Sequence, residues 1–175
     1  MDISQDYFAC YSLPRTFELD LSVLRQTHRA LQQQYHPDRF VSFGDVQQRL
    51  AVQTTAYLNQ AFATLSAPLQ RGIYLLQLLG MDPMAPTNTQ MPMDFLLQQI
   101  ELREGMEDLS QAPDPEPAID ALAQDLQTQA AQLETDFSQS YIANNYLSAE
   151  IAVRKLQFIV KLQQQLDALE GELLD

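Results

Sequence analysis

Residues 20–66 decide the fold, and they read DLSVLRQTHRALQQQYHPDRFVSFGDVQQRLAVQTTAYLNQAFATLS. Side chains suited to a core recur there at helical spacing in two blocks. In the first block, from Asp20 to Tyr35, they are Leu24, His28, Leu31 and Tyr35. In the second, from Asp45 to Ser66, they are Leu50, Thr54, Tyr57, Leu58, Ala61 and Leu65. We predict two antiparallel helices that face each other, the first capped by Asp20 or Ser22.

The tripeptide His36-Pro37-Asp38 separates the two blocks. Proline lacks an amide hydrogen and disfavours helical angles in the residue before it, so the first helix should end here. The loop HPDRFVSFG then holds the His36 imidazole and the Asp38 carboxylate outside both helices. As a bare tripeptide the motif is weak evidence, because short motifs recur by chance.

Proline also divides the rest of the chain. Three prolines lie in MDPMAPTNTQMP, residues 81–92, and three more in APDPEP, residues 112–117. We therefore predict a compact unit over 1–79, a linker over 80–92 and a three-helix bundle over 93–175. The expected bundle helices are Met93–Leu109, Ala118–Tyr141 and Ser148–Leu174. Only five glycines and no tryptophan interrupt long Leu-, Gln-, Ala- and Glu-rich runs, which favours an all-α fold with almost no β-structure.

Charge is distributed unevenly along the chain. The net charge is −13; residues 1–75 contain six basic and six acidic side chains, whereas residues 76–175 contain four basic and seventeen acidic ones. An acidic surface repels phosphate backbones and anionic headgroups, so nucleic acid and membranes are poor candidate partners. Cys10 is the single cysteine, and together with His28 and His36 it gives no structural metal spacing. Without a signal sequence or a long apolar run, we expect a soluble, cytoplasmic protein.

The end of the second block, together with the residues that follow it, carries a specific sequence motif. Its members are Ala61, Leu65, Ser66, Pro68, Arg71 and Tyr74, within LNQAFATLSAPLQRGIY. With the preceding HPD loop, this motif resembles a J domain, in which HPD lies between the two main helices. The resemblance implies that the loop docks on an Hsp70 and favours ATP hydrolysis there. The residues it implies for Hsp70 binding are Arg25, Arg29, His36, Pro37, Asp38 and Arg39. Many J domains carry several lysines on this helix, and their absence here favours a dedicated Hsp70.

The second half narrows the resemblance. The segments FLLQQIELREGMEDL (residues 95–109), VRKLQFIVKL (153–162) and DYFACYSLP (6–14) resemble HscB, the iron–sulfur-cluster co-chaperone family. That resemblance implies a bundle surface for the scaffold protein on which clusters are assembled. On matching positions its residues are Leu96, Leu97, Ile100, Glu101, Glu104, Asp108 and Phe158. Leu97 and Asp108 stand where the family often has Met and Glu.

Helical geometry independently selects part of this surface. Leu97, Glu101, Glu104 and Asp108 lie at i, i+4, i+7 and i+11, with Leu96 and Ile100 beside them. Phe95, Leu102, Met106 and Leu109 form a separate stripe that can serve the core. The alternative is one wide core face with a solvated run of charges. Phe158, off the main seam of its helix, is either core or an exposed anchor.

The implied function is that of a non-enzymatic adaptor. It would bring an IscU-like scaffold protein to a specialised, HscA-like Hsp70 and stimulate the ATPase of that Hsp70, with no cofactor, metal or catalytic residue of its own. One alternative is a J-domain co-chaperone for a different dedicated client. Another is an enzyme with His36 and Asp38 as base and orienting acid, which the lack of a nucleophile motif or Gly-rich loop disfavours.

Overall fold

A computed structural model describes residues 5–85, 91–109 and 114–174 of the chain. Within these ranges the secondary structure is entirely helical, as predicted. The chain divides into two compact units, one ending at Leu79 and one beginning at Gly80. The α-helices are α1 (Tyr7–Cys10), α2 (Leu21–Tyr35), α3 (Asp45–Ser66), α4 (Pro68–Gln77), α5 (Met93–Leu109), α6 (Glu116–Ile142) and α7 (Tyr146–Leu174). A 3₁₀ helix covers Pro37–Phe43.

The helix α2 begins and ends where its local chemistry requires. Asp20 is its N-cap, and the Asp20 carboxylate accepts hydrogen bonds from the backbone amides of Ser22 (2.8 Å) and Val23 (3.3 Å). A hydrogen bond from the Ser22 hydroxyl, with those from the two amides, lowers the pKa of Asp20. The helix stops at Tyr35, one residue before His36, whose ψ of 130° is the extended conformation favoured before proline.

The helix α3 spans the predicted range, but Leu50 was wrongly placed in its core. The buried row of α3 consists of Ala51, Thr54, Leu58, Ala61 and Leu65. These positions repeat at alternating intervals of three and four residues, which is the row that faces a partner helix. Ala51 takes the place in the row that was predicted for Leu50, and Leu50 lies half-exposed at its edge.

A polar network holds α1, α2 and α3 together inside the first unit. The Tyr11 hydroxyl donates a hydrogen bond to the Leu58 carbonyl at 2.9 Å and lies 2.7 Å from Nδ1 of His28. Because the single hydroxyl proton is used on Leu58, Nδ1 of His28 donates to Tyr11. The His28 ring stacks on Phe62 at 4.2 Å between centroids. His28 is thus a buried structural histidine, and burial lowers its pKa.

The motif at the end of the second block, which includes Pro68, Arg71 and Tyr74, has a structural basis. Pro68 opens α4, where its missing amide hydrogen costs nothing. The buried Arg71 donates a hydrogen bond to the Leu65 carbonyl at 2.5 Å, satisfying the end of α3, and its guanidinium lies 4.9 Å from the Phe17 ring centroid. The Tyr74 hydroxyl accepts a hydrogen bond from the Tyr7 amide at 3.0 Å. These contacts fix α1 and α4 to the ends of the hairpin.

The second unit is an α6–α7 hairpin with α5 packed on it. Both long helices begin two residues earlier than predicted, and α6 also ends one residue later. Pro117 is accommodated in the first turn of α6, and Asn144 adopts a left-handed φ of 57° at the turn between the helices. Phe95 is the buried residue that anchors the start of α5, and Leu109 is buried at its end.

Candidate binding surfaces

The HPD residues form the start of the 3₁₀ helix: His36 is its N-cap, Pro37 is half-buried, and His36 and Asp38 are exposed. Nδ1 of His36 accepts a hydrogen bond from the Asp38 amide at 3.3 Å, and the Arg39 amide donates to the His36 carbonyl at 3.0 Å. The His36 side chain therefore caps the short helix. The Asp38 carboxylate lies 3.6 Å from the same Nδ1, yet its side chain is 86% exposed. This carboxylate is available for a charge-assisted contact with a partner.

Three arginines surround these residues. Arg25 and Arg29 are exposed one turn apart on α2. Arg39 donates a hydrogen bond to the Gln33 carbonyl at 3.1 Å, near the end of α2. Two adjoining shallow depressions, both lined by Arg29, contain Arg25 in one and His36 and Arg39 in the other. Arg29 thus links Arg25 to His36 and Arg39, and the Asp38 carboxylate lies 3.6 Å from His36. We call Arg25, Arg29, His36, Pro37, Asp38 and Arg39 together the loop surface.

The loop surface lacks the environment of a catalytic centre. His36 and Asp38 are both exposed, so neither side chain is desolvated as a catalytic base or acid usually is. The other histidine, His28, is buried in its hydrogen bond with Tyr11. In the described part of the chain, no group of three or more His, Cys, Asp and Glu side chains could hold a metal ion.

The helix α5 presents two apolar stripes, as predicted. Phe95 and Leu109 are buried against the α6–α7 hairpin, and Leu102 and Met106 are half-buried there. Leu96, Leu97 and Ile100 lie outside this stripe and are exposed, together with Glu101, Glu104 and Asp108. A single wide core face is therefore wrong, because three large apolar side chains of α5 face solvent among carboxylates.

Phe158 belongs to neither predicted extreme. It is half-buried between α5 and α7, its ring meets Phe95 edge-to-face at 5.7 Å, and the Arg103 guanidinium lies 5.5 Å from its centroid. The prediction of an exposed aromatic needs this correction, since α5 covers part of the ring. Phe158 still lines an open depression of about 530 Å³ with Arg103, Met106 and Lys161. We call Leu96, Leu97, Ile100, Glu101, Glu104, Asp108 and Phe158 together the α5 surface.

Sequence reasoning did not find Arg103. Its position follows from the way α5 lies on α7, which also places the Lys155 ammonium 5.0 Å from the Phe95 ring centroid. Helical periodicity within α5 gives no information about which edge of the helix meets α7. The only signal in the sequence is that Arg103 lies within FLLQQIELREGMEDL, a segment that resembles the family, and the resemblance assigned the arginine no role.

Comparisons with known proteins all point to one family and together cover nearly the whole chain. Residues 91–167 match the family described as the HSCB C-terminal oligomerisation domain. A co-chaperone protein HscB homolog of Paraburkholderia phymatum is 40% identical over 164 residues, covering 94% of this chain and 93% of the relative. The chain belongs to the HscB co-chaperone family. The solved chaperone HscB from Vibrio cholerae is 34% identical, with a TM-score of 0.87, and the match covers 97% of this chain and 99% of that one.

The fold is shared beyond bacteria. The human co-chaperone protein HscB superposes with a TM-score of 0.90 at 24% identity, covering 99% of this chain and 86% of the human one. HscB membership confirms the all-α architecture of a J domain followed by a three-helix bundle. The chain is therefore a co-chaperone of iron–sulfur cluster assembly and not an enzyme. Among the described residues, no helix is both long and apolar enough to cross a membrane.

Proposed function

We propose that this HscB-family protein is an adaptor with two binding surfaces. Residues 1–79 act as the J domain that engages a specialised, HscA-like Hsp70, and residues 93–175 bind an IscU-like scaffold protein. Residues 80–92 link them. The observation that carries the proposal is the exposure of two chemically different surfaces, one on each compact unit: the loop surface and the α5 surface.

The loop surface supplies the Hsp70 contact. Its three arginines favour an acidic surface on the Hsp70 and speed association through long-range attraction. The exposed Asp38 carboxylate then pairs with a basic group of the Hsp70, an arginine by preference, because a planar guanidinium can bind a carboxylate through two hydrogen bonds. ATP hydrolysis takes place on the Hsp70, and the co-chaperone changes only how readily it occurs.

The α5 surface supplies the scaffold contact. Leu96, Leu97 and Ile100 provide an apolar centre, which is where most binding energy arises in protein interfaces. Glu101, Glu104 and Asp108 form a charged rim that favours a basic surface on the scaffold. Phe158 contributes the exposed edge of a ring that α5 already holds in place.

Linking the two surfaces in one chain raises the concentration of the scaffold beside the Hsp70 without any additional contact. The single cysteine fits a reducing compartment, and the relatives from Paraburkholderia phymatum and Vibrio cholerae are bacterial. We accordingly place the activity in the bacterial cytoplasm.

Single-turnover ATPase measurements on the Hsp70 test the proposal. Full-length protein should raise the hydrolysis rate, and scaffold protein should raise it further when both are present, because the adaptor delivers the two together. Scaffold that acts equally well without this protein would contradict the adaptor role. A J protein for another client would give the first effect without the second.

A further inference from the structure

Exposed apolar side chains follow the HPD motif, at the end of the 3₁₀ helix and the start of α3. Phe43 is 68% exposed, Val46 76% and Leu50 48%. The Phe43 ring lies 5.9 Å from the half-buried ring of Phe40, one turn back along the 3₁₀ helix, and Leu50 follows Val46 by one turn of α3. We call Phe43, Val46 and Leu50 the apolar ridge.

Phe43 and Val46 lie outside the core of the hairpin, and Leu50 lies at its edge with about half of its surface exposed. The buried row of α3 is complete without Val46 and Leu50, since Ala51 and Thr54 occupy the core at this end. Gly44 has a φ of +92°, and this turn separates Phe43 from α3. Exposed apolar side chains are thus concentrated within eight residues of the chain, and contiguous apolar patches of a few hundred Å² on monomers are often binding sites.

The ridge lies close to the loop surface. Asp38 and Phe43 belong to the same 3₁₀ helix, which rises about 2.0 Å per residue, so about 10 Å of helix axis separates them. A standard protein interface covers ~800 Å² on each partner, which is wide enough to include both. The loop surface alone is polar and charged, whereas interface centres are usually apolar.

We propose that Phe43, Val46 and Leu50 form the apolar part of the surface that the Hsp70 covers when it docks on the HPD loop. This inference rests on the proposed function and names the Hsp70 contact more completely. The occupant is an apolar patch of the Hsp70 beside the acidic surface that receives the arginines. A second copy of the chain is a poor occupant, because three apolar side chains supply less than the ~800 Å² that each partner of a standard interface buries.

The ridge also explains how the protein could bind an Hsp70 although its loop surface has only a few basic residues. Attraction between exposed charges is screened by salt, whereas burial of apolar surface is not. An Hsp70 contact that combines three arginines with the ridge therefore keeps part of its affinity at an ionic strength that weakens a purely charged contact.

The test compares full-length variants in the Hsp70 ATPase assay. Phe43→Ser with Val46→Gln should raise the half-saturating concentration of the co-chaperone by about tenfold, the loss of roughly two apolar contacts. Maximal stimulation should stay the same because the HPD residues are intact, and the factor should be similar at low and high salt. The matched control is Val52→Gln, since Val52 is 52% exposed on the same helix but points away from the ridge, and it should change nothing.

Several results would overturn the inference. These are an unchanged half-saturating concentration in the double variant, an equal shift in Val52→Gln, or a wild-type dimer in sedimentation that the double variant dissociates. A shift in scaffold affinity instead of Hsp70 affinity would assign the ridge to the scaffold and equally refute it. Val46→Gln alone, at the most exposed position of the ridge, repeats the test should the double variant melt at a lower temperature. If the wild-type protein fails to stimulate the Hsp70 at all, the proposed function fails first, and that outcome is distinct from the others.

Discussion

The loop surface and the α5 surface both hold side chains exposed to solvent, but different features of the structure keep those side chains in place. The loop surface is held by backbone geometry: Pro37 ends one helix, and the His36 side chain caps the next short one. The α5 surface is one side of a helix whose other side is core, and Phe158 serves both. Function and stability should therefore separate cleanly in the first surface and overlap in the second.

The largest effect is expected at the loop surface. His36→Gln should return the stimulated ATPase of the Hsp70 to its basal rate while the scaffold affinity stays unchanged. His36 is exposed, so water can replace Nδ1 as the acceptor for the Asp38 amide, and the unfolding free energy should change by no more than ~0.5 kcal/mol. ATPase rates and thermal melts on the same preparation measure both quantities. A large drop in melting temperature would break the comparison, because the loop would then be structural.

The second effect concerns the exposed leucines of α5. Leu96→Ala with Leu97→Ala should weaken scaffold binding by at least ~2 kcal/mol, about thirtyfold in Kd, because apolar anchors at an interface centre carry most of the energy. Alanine favours helix, and Leu97 is 56% exposed but Leu96 only 37%, so the unfolding free energy should fall by no more than ~1 kcal/mol. Leu147→Ala, at an exposed leucine of α7, is the matched control for titration calorimetry. Collapse of the melt together with binding would mean that the leucines belong to the core.

The third effect concerns Phe158, which contributes to both the core and the α5 surface. Phe158→Ala should lower the unfolding free energy by ~1–3 kcal/mol, less than the ~3–5 kcal/mol for a fully buried phenylalanine, and should also weaken scaffold binding. Arg103→Gln keeps the ring but removes the cation–π contact, so its cost in stability should be only ~0.5–1 kcal/mol. Denaturant unfolding and calorimetry on both variants provide the measurements. An unchanged unfolding free energy for Phe158→Ala would place the ring wholly in the interface.

The smallest expected effect is a dependence of the stability of the first unit on pH. Burial lowers the pKa of His28, so between that value and the ordinary ~6.5 the unfolded chain binds more protons than the folded one. Stability is complete above about pH 6.5 and decreases as the pH falls below it. Thermal melts at a series of pH values should show this decrease in the wild type and a smaller one in His28→Gln. Equal pH dependence in the two proteins would rule out His28 as its source.

Local chemistry explains which parts of the fold were predictable from sequence. The ends of α2 follow from the Asp20 cap and Pro37, and α3 was predicted to the residue. Leu50 was misplaced because periodicity fixes the face of a helix only to within a residue, and a neighbouring small residue, Ala51, can take the buried position. The loop was expected to be irregular, whereas its backbone forms 3₁₀ hydrogen bonds that no side-chain pattern reveals.

The candidate surfaces could likewise be predicted from sequence only in part. The HPD residues could be found because three adjacent positions carry the motif, and the two stripes of α5 could be found because they lie within one helix. The burial of Phe158 and the position of Arg103 depend on how α5 packs on α7, which is a tertiary property. The apolar ridge spans the end of one element and the start of another, so no single period connects Phe43 with Val46 and Leu50.

The 3₁₀ helix that begins at Pro37 has a consequence for hydrogen exchange. Its hydrogen bonds are poorer than those of an α-helix, it contains no buried residue, and it lies between two long α-helices of the same unit. Its amides from Arg39 to Phe43 should therefore exchange with solvent through small local openings, much faster than those in the middle of α2 and α3. If an Hsp70 docks here as proposed, the exchange of these amides should slow first, and the ordering of this one segment would be part of the free energy of binding.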